Sequence, residues 1–521
     1  MTSLDGGMVC AAHFLAVEAG LEILRSGGNA FDTAVTVAAV LNVVEPMMSG
    51  LGGYGTILTY NARSKKIQFL NASGRIPQNV DSNAFRSPTP NFKENRRSAK
   101  AVSTPLNLQA WAELAQLGRL DWSLLLAPAI ELAQNGFPID ERLALFTNQQ
   151  FPYFPEHAKR VYGRRGVPLR AGDRLFQYDL AASFATIASD GINAFYDGEI
   201  GRKILETLQK QAGFLSGEDL INAQAEWFDP IMLSYRGHDV YTAAPPATSF
   251  PGLIRLGLLN QFPVPDWEHN SPEHLHHLAE ITKHAYWCRL NYATDPDIAL
   301  PPLENLLSEA YLSEVASKID PNTATRFEPP FPSGKSSQNT THFVVADREG
   351  NLVSATQTIG QAFGSRIMPE GTGIWLNNSL EYCTFEPAGN PMDAHAGRHK
   401  LSGDMPTIIA KNGHPWAALG TPGGHTIAQT VPQLVSNMID FGLAIQDAFD
   451  MSRIAFVEPN ALYVEKEINQ DTVKRLRKMG HNVVISEGGI GFAHGLTIFK
   501  RDDDTQLVDG GFDDRGAALV G

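Results

Sequence analysis

Apolar residues recur at helical spacing near the start of the chain. Within residues 15–25 they return every three or four positions, and Gly27-Gly28 follows, where glycine accepts the left-handed conformation that ends a helix. A second run, from residue 31 to about residue 42, is apolar on nearly every face. Such a helix has no side suited to water. The pattern therefore predicts two consecutive helices, of which the second is buried between layers.

A glycine-rich segment, Gly50-Leu51-Gly52-Gly53-Tyr54-Gly55, matches the spacing G-x-G-x-x-G of dinucleotide-binding loops. Such a loop follows a strand and opens a helix. Here the segment precedes a strand-like run at residues 56–60, which pairs naturally with residues 66–70. The context argues against an NAD site. It predicts a tight loop in which glycine lets two backbones approach closely.

The middle of the chain, from about residue 101 to residue 320, has a mainly helical pattern with breaks at proline and glycine. Within it, Glu280, His284 and Cys288 follow one another at intervals of four, so one helix face would offer three metal ligands. Polar helix faces are common, and no second cluster of ligands accompanies this one. The sequence therefore predicts neither a metal nor another cofactor.

Two strands follow a polar, turn-rich stretch at residues 329–339, which indicates an exposed loop. The strand patterns cover residues 341–346 and 352–358, with Gly350 in the short connection between them. Their period-two alternation brings hydroxyl side chains to one surface. These are Thr340, in phase with His342 and Val344, and Ser354, Thr356 and Thr358 on the partner strand.

Thr340 has two possible roles. A threonine hydroxyl is a poor nucleophile unless a base lies beside it. If the chain is cut directly before the threonine, the freed α-amine is that base, held a few bonds away, and no histidine is needed. The alternative is structural, because threonine at the start of a strand has good β propensity without any chemistry. Spacing alone leaves both interpretations open.

A second glycine-rich segment, Gly420-Thr421-Pro422-Gly423-Gly424, follows a predicted hairpin at residues 406–419 and leads into a helical pattern that ends near Ile439. The first N–H groups of a helix have no partner within it and lie at the positive end of its dipole. The glycine pair therefore predicts a site for an anion or an oxyanion.

Net charge and hydropathy indicate which classes of binding partner the protein has. The chain of 521 residues has a formal net charge of -14, which disfavours nucleic acids and acidic membrane surfaces because both attract positive proteins. Small-molecule substrates fit better. No stretch approaches the roughly 20 apolar residues of a membrane span, and the first residues lack the pattern of a signal peptide. We therefore expect a cytoplasmic protein.

Several ordered motifs give the sequence a resemblance to the γ-glutamyltranspeptidase family of N-terminal-nucleophile (Ntn) amidohydrolases. The motifs extend nearly from end to end: Gly27-Gly28-Asn29-Ala30-Phe31-Asp32, Val44-Glu45-Pro46, Gly50-Leu51-Gly52-Gly53, Thr340-Thr341-His342-Phe343, Leu376-Asn377-Asn378, Gly420-Thr421-Pro422-Gly423-Gly424 and Asp513-Asp514-Arg515-Gly516-Ala517-Ala518. A set of motifs in a fixed order is far more specific than any one of them.

The resemblance implies an α+β fold, a four-layer αββα sandwich with a largely helical region in its first part. It also implies self-cleavage between Asn339 and Thr340 into a large fragment, residues 1–339, and a small fragment, residues 340–521, which together form one unit. Thr340 aligns with the family nucleophile and Thr358 with the threonine that hydrogen-bonds it. Gly423 and Gly424 align with the glycines of the oxyanion hole.

Substrate-binding positions depart from the family pattern. The arginine that holds the glutamyl α-carboxylate is replaced by Ser73, and Arg75 lies two residues further along. The three residues that hold the α-amino group become Gly360, Ser379 and Tyr382, and the family's Ser-Ser pair becomes Ser402-Gly403. Because a charged substrate is selected through paired polar groups, these losses remove several kcal/mol, roughly, of selective binding.

These departures predict a hydrolase of a small carboxylate-bearing amide such as oxamate. The alternatives are a γ-glutamyltransferase or glutathione hydrolase, a glutaryl or cephalosporin acylase, and an unprocessed binding protein of the same fold. A small carboxylate needs a cation or a row of N–H donors. The sequence offers Arg366 first and His425 second, beside Ser379, Tyr382 and Ser402 as further substrate-binding candidates. An oligomer is compatible with these features.

Overall fold

Two antiparallel seven-stranded sheets stack face to face in the computed structural model, which describes residues 2–331, 339–500, 506–515 and 519–520. We call the one that contains the strand after Thr340 the Thr340 sheet. Its strands, in spatial order, are Leu519–Val520, Met8–Ala11, Thr341–Ala346, Leu352–Thr358, Tyr54–Asn61, Lys66–Ala72 and Glu226–Phe228. The opposing sheet has the order Thr2–Ser3, Gln506–Phe512, His494–Lys500, His414–Gly420, Thr407–Lys411, His238–Thr242 and Ile231–Tyr235.

Burial along the strand Thr341–Ala346 follows the pleat. Val344 lies in an apolar cluster between the two sheets, together with Ile408 and Leu496 of the opposing sheet. Phe343, next to Val344 in the chain, points to the other face and belongs to a cluster that the sheet shares with helices. Each sheet therefore has one face against its partner and one face under a helical layer.

Helices form the two outer layers. The layer on the Thr340 sheet comprises Phe14–Arg25, Ala30–Val44, Asn107–Ala115, Trp122–Asn135, Glu141–Gln150, Glu156–Tyr162, Tyr178–Asp190, Asn193–Tyr196, Glu199–Gln209 and Gly217–Ile221. The layer on the opposing sheet comprises Phe250–Leu259, Pro272–Tyr292, Leu303–Leu306, Glu309–Ala316, Ile427–Ile439, Ile445–Asp450 and Gln470–Lys478. The predicted four-layer αββα sandwich is thereby confirmed.

Smaller elements complete the described chain. A three-stranded sheet contains Ile454–Val457, Ala461–Glu465 and Asn482–Ser486. Two-residue strands pair Phe137–Pro138 with Arg174–Leu175 and Gly163–Arg164 with Val167–Pro168. The remaining helical turns are Phe92–Asn95, Leu4–Gly6, Ser82–Phe85, Ala99–Ala101, Phe151–Tyr153, Val264–Asp266, Ser379–Tyr382 and Gly424–Thr426. Among the described residues, no helix combines the length and the apolar character needed to cross a membrane.

The first two predicted helices are confirmed. They span Phe14–Arg25 and Ala30–Val44, and all 15 residues of the second are buried, as its apolar pattern requires. Asn29 caps this second helix through its side chain, which accepts from the Asp32 N–H, and the Asp32 carboxylate accepts from the Asn29 N–H. The buried helix thus begins at a position that its sequence defines.

The mainly helical prediction for residues 101–320 missed the four two-residue strands and three strands of the two large sheets. Glu226–Phe228 lies at the edge of the Thr340 sheet, and Ile231–Tyr235 lies at the edge of the opposing sheet beside His238–Thr242. The last two form a hairpin whose turn, Arg236-Gly237, has φ values of 49° and 77°. Short strands at or next to a sheet edge show weak alternation because neighbours cover them on fewer sides.

Residues on both sides of the predicted cleavage point contribute to both sheets. The strand Thr341–Ala346 lies between Met8–Ala11 and Leu352–Thr358. In the opposing sheet, His238–Thr242 pairs with Thr407–Lys411. Both sheets of the described chain therefore contain strands from before and after residue 340.

The segment at residues 50–55 is the tight loop that its glycines predict. A Cβ atom built on Gly52 would lie 2.2 Å from the carbonyl oxygen of Trp375, and one on Gly53 would lie 2.3 Å from the carbonyl oxygen of Thr358. Neither backbone leaves room for a side chain. The loop therefore fixes the backbone at the end of the strand Leu352–Thr358.

We expect Gly53→Ala to destabilise the protein by about 1–3 kcal/mol, because the new methyl group would force apart two buried backbones. Gly6→Ala is the matched control, since a Cβ atom there meets nothing within 4 Å. Thermal unfolding of both variants would measure the difference. Equal melting temperatures for the two variants would contradict the close approach.

Candidate active site

Thr340 lies directly before the buried strand Thr341–Ala346, which has a neighbouring strand on each side. Its neighbour Thr341 pairs with Gln357, and this register brings Thr340 beside Thr358, the last residue of the partner strand. The Thr340 side chain is buried, with 3% of its surface exposed. A one-residue slip of the register would turn the side chain to the opposite face. The strand pairing thus sets where the Thr340 hydroxyl points.

The Thr358 hydroxyl connects Thr340 to the residue before it. The Thr340 Oγ1 hydroxyl donates to Thr358 Oγ1 at 3.3 Å, and Thr358 Oγ1 donates to the Asn339 carbonyl oxygen at 2.8 Å. The N–H of Gly360 donates to Thr358 Oγ1 at 2.9 Å, which fixes this hydroxyl further. Thr358 therefore hydrogen-bonds both the Thr340 hydroxyl and the carbonyl that precedes Thr340.

The predicted convergence of hydroxyl groups is confirmed, and a histidine lies between them. His342 Nδ1 is 2.9 Å from Thr356 Oγ1, and its Nε2 is 3.4 Å from Ser354 Oγ. Complete burial lowers the His342 pKa well below its ordinary value, and the nearby His494 lowers it further. His342 is therefore neutral at physiological pH and joins the two strands as a hydrogen-bonding group.

Glu45 anchors the residue after Thr340. Its carboxylate accepts a hydrogen bond from Thr341 Oγ1 at 3.1 Å and pairs with Arg142 at 2.8 Å. Burial raises the Glu45 pKa, while Arg142 and the Thr341 hydroxyl oppose that shift. Because Glu45 directly follows the helix Ala30–Val44, the buried helix positions the start of the strand.

Gly423 and Gly424 precede the helix Ile427–Ile439. Their φ values of 140° and 60° favour glycine, and a Cβ atom on Gly423 would lie 2.5 Å from Thr426 Oγ1. Within the described chain, neither glycine N–H donates a backbone hydrogen bond. Gly424 lines the cavity of Thr340, and Gly423 is its neighbour. The pair therefore leaves two N–H groups without a backbone acceptor, among the described residues, next to that cavity.

A small cavity opens beside Thr340. Five of its lining residues are sequence-predicted site residues: Thr340, Thr358, Tyr382, Ser402 and Gly424. Gly403 accompanies Ser402, and five further residues have no predicted role: Tyr54, Arg289, Lys400, Leu401 and Asp404. Lys400 stands two positions before Ser402, so its nearness was readable from the sequence. Arg289 comes from a distant helix, and only tertiary packing reveals it.

Arg366 does not line this cavity. Its Nε donates to Gln150 Oε1 at 2.9 Å, and its guanidinium lies 3.9 Å from the centre of the Tyr153 ring. A left-handed φ of 63° directs the chain there. The sequence placed Arg366 first for a carboxylate, and the structure instead gives it an amide and an aromatic partner. The side chain of His425, the second candidate, lies outside the described part of the structure.

Ser379 also points elsewhere, since its hydroxyl donates to Ser103 Oγ at 2.5 Å and it is absent from the cavity lining. A side chain at Gly360 is excluded, because its Cβ would lie 2.3 Å from Asn378 Oδ1. Of the three positions that hold an α-amino group in the family, only Tyr382 therefore reaches the cavity. The described residues do not rebuild that clamp.

Ser73, at the position of the family arginine, and the nearby Arg75 also lie outside the cavity of Thr340. The Ser73 hydroxyl donates to Asn71 Oδ1 at 2.7 Å, within its own turn. Arg75 pairs with Glu226 at 3.0 Å and with Asp297 at 2.9 Å, and it lines a different cavity. Neither residue supplies a group to the cavity of Thr340.

Asp404 is the carboxylate in the lining of the cavity. It accepts hydrogen bonds from Ser402 Oγ at 2.5 Å and from Thr56 Oγ1 at 3.4 Å. Burial raises its pKa, while Ser402, Lys400 and Thr56 oppose the shift. Its Oδ2 atom is therefore already used to hold the loop that carries Ser402.

The three residues whose spacing would suit a metal, Glu280, His284 and Cys288, have other partners. Glu280 pairs with Lys283 at 2.6 Å. His284 Nε2 lies 3.0 Å from the Tyr311 hydroxyl and 3.5 Å from Cys288 Sγ. Because Lys283 pairs with Glu280, the carboxylate of this helix face already has a cationic partner.

An ion cluster surrounds His399, the residue before Lys400 in the chain. His399 lies 2.8 Å from the buried Asp295 through Nδ1 and 2.6 Å from Glu226 through Nε2, and Arg75 pairs with Glu226 and with Asp297. Burial alone would lower the His399 pKa, but hydrogen bonds to Asp295 and Glu226 outweigh it and raise the pKa to about 9. His399 is therefore a buried cation.

Comparison with known proteins places these residues in a family. The model of the gamma-glutamyltranspeptidase family matches residues 16–520. The chain belongs to the γ-glutamyltranspeptidase family. Glutathione hydrolase proenzyme of Bacillus subtilis subsp. natto is 34% identical over 518 residues, which cover 94% of this chain and 88% of that protein.

Two further family relatives carry the name acylase. Acylase ACY 1 proenzyme of Pseudomonas sp. strain SE83 is 32% identical over 537 residues, 99% of this chain and 96% of that protein. The crystal structure of cephalosporin acylase from Bacillus halodurans superposes with a TM-score of 0.89 and 28% identity, covering 100% of this chain and 96% of that one. As a member of the γ-glutamyltranspeptidase family, the chain is a hydrolase of amide C–N bonds with the Ntn-hydrolase fold.

The His399 cluster gives a pH-dependent stability. Because the folded-state pKa of about 9 exceeds the ordinary value of 6.5, the contribution is complete below pH 6.5 and is lost as the pH rises through 9. We expect the free energy of unfolding to fall by up to about 3 kcal/mol over that window. Unfolding midpoints measured across it should fall less in His399→Gln. A parallel decline in both proteins would contradict this assignment.

Proposed function

We propose that this chain is a self-processing amidohydrolase in which Thr340 is the nucleophile. The observation that carries the proposal is the pair of hydrogen bonds through Thr358, from the Thr340 hydroxyl and to the Asn339 carbonyl oxygen. One side chain thus contacts the attacking group and the carbonyl that it would attack. The names of two relatives, both called proenzymes, agree with processing in the family.

Processing begins when Thr340 Oγ1 attacks the Asn339 carbonyl carbon and gives its proton to Thr358 or a water molecule. The C–N bond breaks, the Thr340 nitrogen takes a proton, and an ester joins Asn339 to the Thr340 hydroxyl. Water then hydrolyses the ester. The products are a carboxylate at Asn339 and a free α-amine and hydroxyl at Thr340, which define fragments 1–339 and 340–521.

Turnover repeats this chemistry on a substrate. The α-amine of Thr340 takes the proton of its own hydroxyl, the oxygen attacks the substrate amide, and N–H groups at Gly423 and Gly424 stabilise the oxyanion. The substrate nitrogen leaves as an amine with the proton, and the acyl group remains on Thr340 as an ester. Water attacks this ester and releases the acid, so the hydroxyl and the α-amine are regenerated.

The substrate that we propose is a small amide whose acyl group carries a carboxylate, with oxamate as the simplest example. The cavity beside Thr340 has two cationic side chains, Arg289 and Lys400, which favour an acid. The α-amino clamp of the family is absent at Gly360 and Ser379. Glutathione hydrolysis and the glutaryl or cephalosporin acylase activity are the competing assignments, and an unprocessed binding protein is the competing class.

Thr340→Ala should abolish both fragments and all amidase activity, because the methyl group cannot form the ester. Thr340→Ser is the matched control, since a serine hydroxyl keeps both reactions. Denaturing electrophoresis with mass determination of the new amino terminus would follow processing. Two fragments from the alanine variant would eliminate Thr340 as the nucleophile, and an intact wild-type chain would favour the binding protein.

Purified wild-type enzyme should hydrolyse oxamate with a kcat/KM at least about tenfold above that for glutathione, because the α-amino group finds no clamp. Ammonia release from oxamate and glutamate release from glutathione would be measured side by side. Glutaryl and γ-glutamyl p-nitroanilides form a second pair that differs only in the α-amino group. A preference for glutathione or the γ-glutamyl anilide would reject the proposed substrate.

A further inference from the structure

Two cations line the cavity of Thr340 without an ion-pair partner. Neither Arg289 nor Lys400 forms an ion pair with a carboxylate in the described part of the chain. Arg453, another buried cation, does have one and lies 2.5 Å from Asp513, whereas the buried Arg255 bonds only to carbonyl and hydroxyl oxygens among the described residues.

Buried charges in proteins are usually paired. Asp404 lines the same cavity, but its Oδ2 atom accepts from Ser402 and Thr56. Two cations there therefore face one carboxylate that is already hydrogen-bonded, which favours a further anion from outside.

Arg289 is held in place and retains a donor. It lies near the end of the helix Pro272–Tyr292, and its Nε is 3.4 Å from Thr248 Oγ1. Thr248 itself donates to the Ser402 carbonyl oxygen from its N–H and its hydroxyl, at 2.6 Å and 2.9 Å. The Arg289 Nη1 atom is fully buried and has no hydrogen-bond partner among the described residues. A buried donor that makes no hydrogen bond is unfavourable, and an acceptor on a bound molecule would satisfy it.

Lys400 is more deeply buried, with 4% of its surface exposed. Its ammonium donates to the carbonyl oxygen of Leu401, which leaves two of its three N–H groups for other acceptors. Burial lowers the Lys400 pKa, Cys383 and Asp404 oppose that shift, and the positive charge of Arg289 adds to it. An anion bound between the two cations would relieve both the desolvation and their mutual repulsion.

The location of the pair favours the acyl side of the substrate. Arg289, Lys400, Tyr382 and Leu401 line both the cavity of Thr340 and the cavity next to it. Tyr382 and the pair Ser402-Gly403 stand at positions that hold the glutamyl group in the family that the sequence resembles. The cations therefore share a wall with the residues that face the acyl group.

We propose that Arg289 and Lys400 together bind the carboxylate of the acyl group and so select acid amides. The planar guanidinium gives directional hydrogen bonds to a carboxylate, and the ammonium adds a compact charge. This pair takes the role of the arginine that Ser73 replaces, from a different part of the fold. The inference rests on the proposed function, because it needs Thr340 to attack the amide of the same substrate.

The decisive test compares substrates that differ only in the carboxylate. Oxamate and pyruvamide form one pair, and glutaryl and pentanoyl p-nitroanilides form another. Arg289→Gln and Lys400→Gln should each raise KM for the acids by about 10–100-fold, the range for losing a hydrogen bond to a charged group. The neutral amides should change less than about threefold, since they never used the charge.

Three controls distinguish the loss of a carboxylate-binding charge from a loss of structure. Arg289→Lys should recover part of the lost affinity, because it restores the charge without the fork. Arg160→Gln removes an arginine that is 69% exposed and pairs with Glu370 at 3.4 Å. It should leave KM unchanged for the acids and for the neutral amides. Processing into two fragments, seen by denaturing electrophoresis, should persist in Arg289→Gln and Lys400→Gln and would show that the Thr340 site is intact.

Calorimetric binding of oxalate, the product of oxamate hydrolysis, separates this inference from the proposed function. If wild-type protein hydrolyses none of the amides but binds oxalate, and Arg289→Gln does not, the proposed function fails while the anion site stands. If the enzyme is active but acid KM values and oxalate binding are unchanged in both glutamine variants, the inference is overturned. An equal loss for acids and neutral amides would also overturn it, because the pair would then act only on structure.

Discussion

The antiparallel pairing of Thr341–Ala346 with Leu352–Thr358 is the constraint on which the site depends. It puts the last residue of one strand beside the residue before the other, so that two threonine hydroxyl groups meet at 3.3 Å. Neighbouring strands and Glu45 allow no slip of this register. The glycine loop at residues 50–55 holds this same end of the pairing, because its backbone approaches Thr358 more closely than any side chain would permit.

The proposed chemistry and the proposed substrate recognition use different elements of the fold. Thr340, Thr358 and the glycine pair come from strand ends and a helix start within residues 340–424, and these positions follow the family pattern. The cationic groups come from the helix Pro272–Tyr292 and from the loop before Ser402. Because recognition is separate, its residues have room to change without moving the nucleophile.

Sequence patterns were most informative where local physics determines the structure. The all-apolar pattern of the second helix and the alternation around Thr340 each correspond to an observed element, since burial on every face or on one face leaves its own periodicity. The hairpin of Ile231–Tyr235 and His238–Thr242 left too weak a pattern. Arg366 and Arg289 show what local patterns do not predict. Arg366 has a left-handed backbone and does not line the cavity of Thr340, whereas the packing of a distant helix brings Arg289 to that cavity.

The interleaving of the two predicted fragments has a kinetic consequence. Strands from both sides of residue 340 are neighbours in the same sheets. Separating the fragments would mean breaking the ladder of Met8–Ala11 with Thr341–Ala346 and the ladder of Tyr54–Asn61 with Leu352–Thr358. Cutting the chain would leave the packing in place but turn a unimolecular refolding reaction into an encounter between two polypeptides. The mature protein would then persist through a high barrier to unfolding, and once unfolded it would lack the covalent link that guided its assembly.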